Sequence, residues 1–171
     1  MHIHAYEKLW LAFAVILILL LIGSVTYGAV GPGVAMVADS EDQIDPGALD
    51  EDERFAEPRV EQVGDNHYAA YVIAYQFAFE PSPIVVPENS RVTLYVTSRD
   101  VIHGFEVAGT NANTMVVPGE VSEITVEVGE PQEYGLLCNE YCGAGHHGME
   151  GKVHVVSEEE YANLNEGGET A

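Results

Sequence analysis

The sequence predicts an all-β domain, a Greek-key barrel or sandwich, carried on one N-terminal transmembrane helix. Three observations lead to this prediction: one long apolar run, several short alternating segments, and turn residues between those segments. Short strands at close spacing, with Pro and Gly turns and no strong helical stretch among them, are typical of β-sandwiches and barrels. Roughly 110 residues remain after the N-terminal segments, which is the usual size of one compact domain.

The N-terminal anchor is predicted over residues 1–38. Residues 9–38 contain no charged side chain, and about 20 apolar residues in a helix span the roughly 30 Å hydrocarbon core. Trp10 and Tyr27 lie near the two ends of the apolar run, where aromatic side chains favour the membrane interface. A cleaved signal peptide is the alternative, although its apolar region is usually only about 7–15 residues long.

Charges around the helix predict its orientation in the cell membrane. Lys8 precedes the apolar run and acidic residues follow it. Positive charges favour the cytoplasmic side. We therefore expect a single-pass protein with a cytoplasmic N-terminus and a domain on the extracellular or periplasmic side.

Two acidic segments flank the domain. Residues 39–66 begin with an acidic run that contains Pro46 and Gly47 and has no strong period, so a solvated, extended linker is predicted there. Residues 158–171 are predicted to form an acidic C-terminal tail with at most a turn of helix. The folded domain is predicted over residues 67–157.

Alternating apolar residues predict the strands of this domain. Strands are predicted over residues 68–79, 91–97, 123–128, 132–137 and 152–156. Val92, Leu94 and Val96 share one face of their strand, and Val153 and Val155 likewise point inward from theirs. These faces predict one core between packed β-layers.

The charge balance excludes one class of partner. The chain has 28 acidic and 6 basic side chains and a net charge of −22, which repels phosphates, so no nucleic acid is expected as a partner. Lys8 and Lys152 are the only lysines. This halophilic composition indicates a salt-rich cell, where a Debye length of about 3 Å at 1 M screens self-repulsion. An acidic docking face for a basic partner is the alternative.

One loop carries most of the residues that can bind a soft metal. Both cysteines of the chain, Cys138 and Cys142, lie there with His146 and Met149. Thiolate and thioether ligands favour copper or zinc, and imidazole suits both metals. His103 lies 35 residues before Cys138, just after a predicted strand, and can face the loop from there. These five residues are the candidate ligands, with a backbone carbonyl as a further donor.

The ligand set suits electron transfer better than catalysis. Two thiolates can bridge two copper ions, leaving each ion one histidine and one weaker ligand. All ligand positions are then filled by protein, whereas a catalytic metal site keeps an open position. A Cys138–Cys142 disulfide, a structural zinc site, and one copper with a spectator thiol are the alternatives.

The motif C-x-E-x-C-x-x-x-H-x-x-M, with an upstream histidine in VIHGF, resembles the binuclear copper-A motif of subunit II of haem–copper respiratory oxidases. Residues 71–156 are similar as a whole to the copper-A domain of the B-type (ba-type) branch of cytochrome c oxidase. The resemblance implies a cupredoxin-like barrel that accepts electrons from a cytochrome c or a blue-copper donor. It would pass them to haem in subunit I, where O2 is reduced. A stand-alone, membrane-anchored cupredoxin electron carrier is the alternative.

The resemblance also implies the role of each ligand. It implies six ligands: His103, Cys138, the Glu140 carbonyl oxygen, Cys142, His146 and Met149. In the family pattern the two cysteines bridge both coppers. His103 and Met149 complete one copper, and His146 and the Glu140 carbonyl complete the other. In many relatives this glutamate side chain also holds magnesium at the subunit I interface, so Mg is expected at Glu140.

The point at which electrons enter is predicted less directly. Many relatives have a tryptophan-bearing aromatic run there, whereas the matching residues 75–79 lack tryptophan. Phe77 and Phe79 are the candidates, and plain core packing is the alternative interpretation. His147 lies beside His146, but the family spacing selects His146, so His147 is predicted to face solvent.

Overall fold

A computed structural model describes residues 4–30, 36–38 and 42–166 of the 171-residue chain. Two α-helices and eleven strands occur in these ranges: α1 Ala5–Val30, β1 Met36–Ala38, β2 Arg59–Gly64, β3 His67–Tyr75, β4 Ala78–Glu80, β5 Ile84–Pro87, β6 Arg91–Ser98, β7 His103–Val107, β8 Asn113–Val116, β9 Ser122–Glu127, β10 Gln132–Leu137, β11 Glu150–Val156 and α2 Glu158–Glu166. One-turn 3₁₀ helices occur at Leu49–Glu51 and His146–Gly148.

The strands form two sheets. One sheet has the order β1-β9-β6-β3-β2, with β4 also paired to β3, and the other has the order β5-β11-β10-β7-β8. Strand β3 runs parallel to β6, strand β5 runs parallel to β11, and the other pairs are antiparallel. The all-β sandwich with one N-terminal apolar helix is therefore confirmed.

The main core contains the predicted inward faces of the strands. Val92, Leu94 and Val96 are buried on β6, as are Val153 and Val155 on β11. This core extends to one end of the sandwich, where it includes both cysteines and a methionine of the candidate metal loop. These candidate ligands are thus continuous with the packed interior.

Helix α1 lies outside the packed part of the described chain. The span Ala5–Gly28 has a mean hydropathy of 2.7 and is not buried by the rest of the described chain. Its length and composition are sufficient to cross a membrane. The predicted end of the anchor at residue 38 is too late, because Met36–Ala38 forms β1 and pairs with β9.

The predicted linker over residues 39–66 is wrong for residues 42–66, and residues 39–41 lie outside the described part. Arg59–Gly64 is strand β2, paired with β3. Leu49 and Phe55 are each 1% exposed and pack with Ile73 on the outer face of the first sheet. The many acidic residues of this segment led to the prediction of a linker. Burial of the two apolar side chains stabilises the packed segment by more than solvation of its charges favours an extended one.

An arginine stabilises this acidic segment against the sheet. Arg54 forms ion pairs with Asp42 and with Asp52, and its guanidinium lies 5.4 Å from the Phe55 ring centroid. The hydrogen bond from Arg54 is the main cause that lowers the pKa of Asp52 below its ordinary value. The segment is thus a folded layer of the domain and not an extended tether.

The predicted acidic tail begins with more helix than expected. Helix α2 spans Glu158–Glu166, and the Ser157 Oγ accepts a hydrogen bond from the Glu160 N–H as an N-cap. Tyr161 packs edge-on against Tyr68 at 5.3 Å between ring centroids. Residues 167–171 lie outside the described part.

Candidate metal centre

Two connections at one end of the sandwich carry the candidate ligands. His103 is the first residue of β7, directly after the β6–β7 turn. Cys138 follows the last residue of β10, and the loop returns to the sheet after Met149. A hydrogen bond of 3.3 Å from the Cys138 N–H to the Met149 carbonyl closes this loop. The predicted loop between two paired strands is therefore present.

The two cysteines lie side by side as free thiols. Their Sγ atoms are 3.7 Å apart, and both side chains are buried. A disulfide bond measures about 2.05 Å, so the alternative of a disulfide is not formed in this structure. Burial, followed by the hydrogen bond with Cys138, raises the pKa of Cys142 to about 11. A metal that binds this pair must therefore displace a proton from Cys142.

The remaining predicted donors surround the two sulfurs. The Cys138 Sγ lies 3.9 Å from the His103 Nδ1 and 3.2 Å from the Glu140 carbonyl oxygen. The Cys142 Sγ lies 3.6 Å from the His146 Nδ1 and 3.6 Å from the Met149 Sδ. All six predicted donors thus meet at one end of the core.

These distances fit a shared metal centre. Ligand atoms held about 2.0–2.3 Å from a tetrahedral metal are about 3.3–3.8 Å apart, close to the observed separations. Even without the other donors, His103, Cys138 and Cys142 form a buried group that could hold a metal ion. The nearby Met149 thioether favours copper, because structural zinc sites use Cys, His and carboxylate ligands.

Asp100 supports His103 from the side away from the sulfurs. Its Oδ1 lies 2.8 Å from the His103 Nε2, which leaves Nδ1 directed at Cys138. Burial alone would raise the pKa of Asp100, but the hydrogen bonds from His103 and from the Gln76 and Val101 N–H groups lower it overall. A carboxylate on the outer nitrogen fixes the tautomer and orientation of a metal-binding histidine.

Gly104 lets the two ligand-bearing segments approach closely. A Cβ atom at Gly104 would lie 1.8 Å from the Asn139 Oδ1, 2.7 Å from the Asn139 N and 2.8 Å from the Glu140 N. Two of these neighbours are backbone atoms of the cysteine loop. Only glycine fits at this position without moving that loop.

The structure separates the two phenylalanine candidates. Phe77 is 39% exposed, and its ring lies against Gly143 and Gly145 of the metal loop. Phe79 is 3% exposed and packs edge-on against Phe105 in the core. Only Phe77 therefore has both an exposed edge and contact with the ligand loop.

Sequence reasoning missed two residues that support the site. Asp100 lies three positions before His103. An acidic residue so close in sequence to a candidate metal-binding histidine could have been recognised as its hydrogen-bond partner. Gln76 donates a hydrogen bond from Nε2 to the Cys142 carbonyl, 66 residues later in the chain. No pattern of neighbouring residues in the sequence predicts a contact between residues so far apart. His147 is exposed, in agreement with its prediction.

A two-sheet β-sandwich with a buried soft-ligand cage at one end defines a cupredoxin-like metal protein. The family model for the periplasmic domain of cytochrome c oxidase subunit II matches residues 69–156. A cytochrome c oxidase subunit 2 of Thermus thermophilus is 40% identical over 157 residues, covering 90% of this chain and 93% of the relative. A second subunit 2 sequence from Thermus thermophilus is 44% identical over 119 residues, covering 68% of this chain and 87% of the relative.

Solved structures agree with the sequence relatives. A chain in the cryo-EM structure of a haem–copper terminal oxidase dimer has a TM-score of 0.60 and 30% identity, covering 88% of this chain and 99% of that one. The periplasmic domain of a Bradyrhizobium japonicum cytochrome oxidase subunit II has a TM-score of 0.54 at 22% identity, covering 57% and 90% respectively, which supports the fold alone.

The chain belongs to the cytochrome c oxidase subunit II family. It is thus a subunit of a haem–copper oxidase, an oxidoreductase complex, and the predicted function as its electron-accepting subunit is confirmed. The alternative of a stand-alone carrier is not favoured. The family implies a copper-A centre and an oxidase subunit I as partner, and the single apolar helix fits a single-pass membrane protein.

Proposed function

We propose that this chain holds two copper ions and uses them to receive electrons for a B-type haem–copper oxidase. The observation that supports this most directly is the pair of free sulfurs 3.7 Å apart, with a histidine nitrogen beside each sulfur. Cys138 and Cys142 would be shared by both metals, His103 and Met149 would complete the ligands of one, and His146 and the Glu140 carbonyl would complete those of the other. When bound, such a pair of metal ions would supply one-electron chemistry in which the change of charge is spread over both ions.

The ligands are well suited to this task because the protein holds them rigidly. His103 and Cys138 are attached to paired strands, and Cys142 and Met149 are 3% exposed. Rigid supports and exclusion of water limit the rearrangement that accompanies a change of charge. Electrons pass from a cytochrome c or blue-copper donor, through this site, to haem in subunit I.

A variant of the intact oxidase tests this proposal. Cys142→Ser removes one bridging sulfur and should abolish donor oxidation, while the haem spectrum of subunit I remains. Thr114→Ser, a comparable loss of one group on β8 outside the ligand set, serves as the control. If Cys142→Ser complexes with intact haem oxidised the donor at the wild-type rate, electrons would not pass through this site.

Phe77 is the proposed contact through which electrons reach the metals. Its exposed ring lies on the ligand loop, and the ligand-bearing segments also carry the exposed apolar residues Val101, Ile102 and Tyr141. An apolar surface suits a donor in high salt, where charge steering is weak. Phe77→Leu should slow reduction of the copper by the donor about tenfold, as an order-of-magnitude expectation for a lost contact.

Val63→Ala changes an exposed apolar residue on β2, outside the ligand-bearing segments, and is the control for Phe77→Leu. Reduction rates are compared by stopped-flow absorbance under identical salt. Equal rates in wild type and Phe77→Leu would place the point of electron transfer elsewhere. Phe79→Leu is not used as a control, because Phe79 belongs to the packed core.

A magnesium ion is proposed at the Glu140 side chain, shared with subunit I. Glu140 is exposed, so its carboxylate is available to a partner while its carbonyl oxygen faces Cys138. Carboxylates are common ligands of hard cations such as Mg²⁺. Metal analysis of the intact complex should find Mg that is lost in Glu140→Gln, and its absence from both would contradict the proposal.

The proposed orientation places the N-terminus in the cytoplasm and the copper domain on the extracellular or periplasmic side. Lys8 lies in the first turn of the span Ala5–Gly28, within helix α1, and a positive charge there favours the cytoplasmic side. Protease added to intact spheroplasts should cleave the β-domain and spare an N-terminal tag.

We also propose a salt-rich habitat from the net charge of −22. The unfolding temperature should then rise with added KCl.

A further inference from the structure

The turn between β3 and β4 contacts both segments that carry the ligands. Gln76 and Phe77 form this turn. The Gln76 N–H donates a hydrogen bond of 2.7 Å to the Asp100 Oδ2, and the other oxygen of Asp100 lies 2.8 Å from the His103 Nε2. One carboxylate thus links the turn to the first ligand segment.

The side chains of the same turn reach the second ligand segment. The Gln76 Nε2 donates a hydrogen bond to the Cys142 carbonyl. A Cβ atom at Gly143 would lie 2.6 Å from the Gln76 Nε2, and one at Gly145 would lie 2.5 Å from the Phe77 ring. The cysteine loop therefore has glycine at the positions where the turn packs against it.

The Cys142 carbonyl lies between an exposed residue and a glycine of the loop. Gly143 follows it with a φ of +134°, and Tyr141 before it is 74% exposed. Glycine-rich backbone loses much conformational freedom when it is fixed. A hydrogen bond from a turn anchored on a buried strand reduces the number of orientations open to the Cys142 thiol.

We propose that Gln76 is a positioning residue for the copper centre. Its carboxamide holds the Cys142 carbonyl, so that the Cys142 thiol faces Cys138 before copper arrives. Its backbone N–H holds Asp100 behind His103, a contact that substitution of the side chain retains. This inference rests on the proposed binuclear copper site. Removal of a group that orients a metal ligand typically lowers metal affinity about 10- to 100-fold.

The test uses the full-length chain in detergent, loaded with copper. Gln76→Met keeps the length of the side chain without a donor, and Gln76→Glu keeps its shape but directs a carboxylate at the carbonyl. Gln62→Met is the matched control, because the Gln62 Nε2 also donates to a backbone carbonyl, that of Gly64 at 3.2 Å, on β2 outside the site. Copper affinity is measured against a chelator, the loaded centre by electron paramagnetic resonance, and the apo-protein by thermal unfolding.

Both Gln76 variants should fold with an unfolding temperature near that of wild type. They should bind copper about 10- to 100-fold more weakly and share the unpaired electron unequally between the two nuclei, while Gln62→Met matches wild type. Wild-type affinity and wild-type hyperfine splitting in both Gln76 variants would overturn the inference. So would affinity that falls only with the stability of the apo-protein while the loaded spectrum stays unchanged.

The copper content of the wild-type protein distinguishes failure of this inference from failure of the proposed function on which it rests. If wild type takes up two coppers and the Gln76 variants do so equally well, only the positioning role fails. If wild type itself does not take up two coppers, the proposed function fails, and the positioning role fails with it.

Discussion

Gly104 follows the ligand His103 and lies against the backbone of the cysteine loop. Its amide plane is part of the β7–β8 ladder, opposite Met115, so it cannot easily move away. Gly104→Ala should lower the free energy of unfolding by about 1–3 kcal/mol, the usual cost of overpacking. It should also displace Asn139 and Glu140, and with them Cys138.

Gly148→Ala is the control for Gly104→Ala, because a Cβ at Gly148 meets no atom within 4 Å. Gly148 also lies in the metal loop, so the pair separates steric contact from general loop sensitivity. Urea unfolding and copper titration measure both effects. Equal stability and equal copper binding in the two variants would contradict the close approach at Gly104.

The clustering of the candidate ligands could be predicted because soft donors at short spacing are chemically specific. Cys138, Cys142, His146 and Met149 share one loop, and the glycines near them allow the loop to fold tightly. Asp100 and Gln76 were missed as supporting residues because their roles depend on contacts between separate strands. Such contacts leave no period and no spacing in the sequence.

At the scale of elements, the acidic segment before β2 is the main departure from the prediction. Its charges are typical of a solvated linker, yet Leu49 and Phe55 are each 1% exposed. The apolar side chains of the segment pack on the outer face of the first sheet, beside Tyr71 and Tyr95. Leu49 and Phe55, with Ile44 packed beside them, anchor the segment, and their spacing follows no local period that the sequence could reveal.

Phe55→Ala tests whether this layer contributes to stability. Truncating a buried phenylalanine typically costs about 3–5 kcal/mol, so the urea midpoint should fall markedly. Val63→Ala on the neighbouring strand β2 is the control, because Val63 is 51% exposed. A Phe55→Ala protein as stable as Val63→Ala would show that the segment is a tether after all.

The Arg54–Asp52 ion pair makes the free energy of unfolding depend on pH through the acidic segment before β2. The Arg54 hydrogen bond lowers the pKa of Asp52 below 3.8, so the folded state favours the ionised carboxylate. Its contribution to stability is therefore present above pH 3.8 and is lost as the pH falls below that value. Asp52→Asn should lower the free energy of unfolding by about 1 kcal/mol at pH 7.

The difference between wild type and Asp52→Asn should shrink towards pH 3, as Asp52 becomes protonated in wild type. Asp50→Asn, at an exposed position of the same segment, is the control and should show a smaller effect. Chemical unfolding at several pH values measures this dependence. A difference that is constant from pH 7 to pH 3 would contradict the proposed ion pair.

For the whole molecule, the sandwich and its one apolar helix followed from simple patterns. Strand alternation placed Val92, Leu94 and Val96 in the core, and the apolar run gave helix α1. The pairing of strands was not predictable in the same way. The parallel β3–β6 and β5–β11 pairs join segments that are distant in sequence, and only the assembled core specifies them.

The whole fold also explains why the site can be both buried and accessible to a partner. Cys138, Cys142 and Met149 are part of the main core, whereas Phe77 and Tyr141 are exposed on the segments around them. Packing excludes water from the candidate ligands, and the exposed rings of Phe77 and Tyr141 offer an apolar surface to the proposed donor. This arrangement suits electron transfer, which needs proximity without contact between the metal and its donor.

Electron paramagnetic resonance of the full-length chain, purified in detergent and loaded with copper, tests the central claim most directly. The copper-to-protein ratio is measured on the same sample. We predict two coppers per chain and hyperfine splitting from one unpaired electron shared equally by two copper nuclei. A single-copper splitting pattern, or a chain that binds no copper, would contradict the binuclear centre.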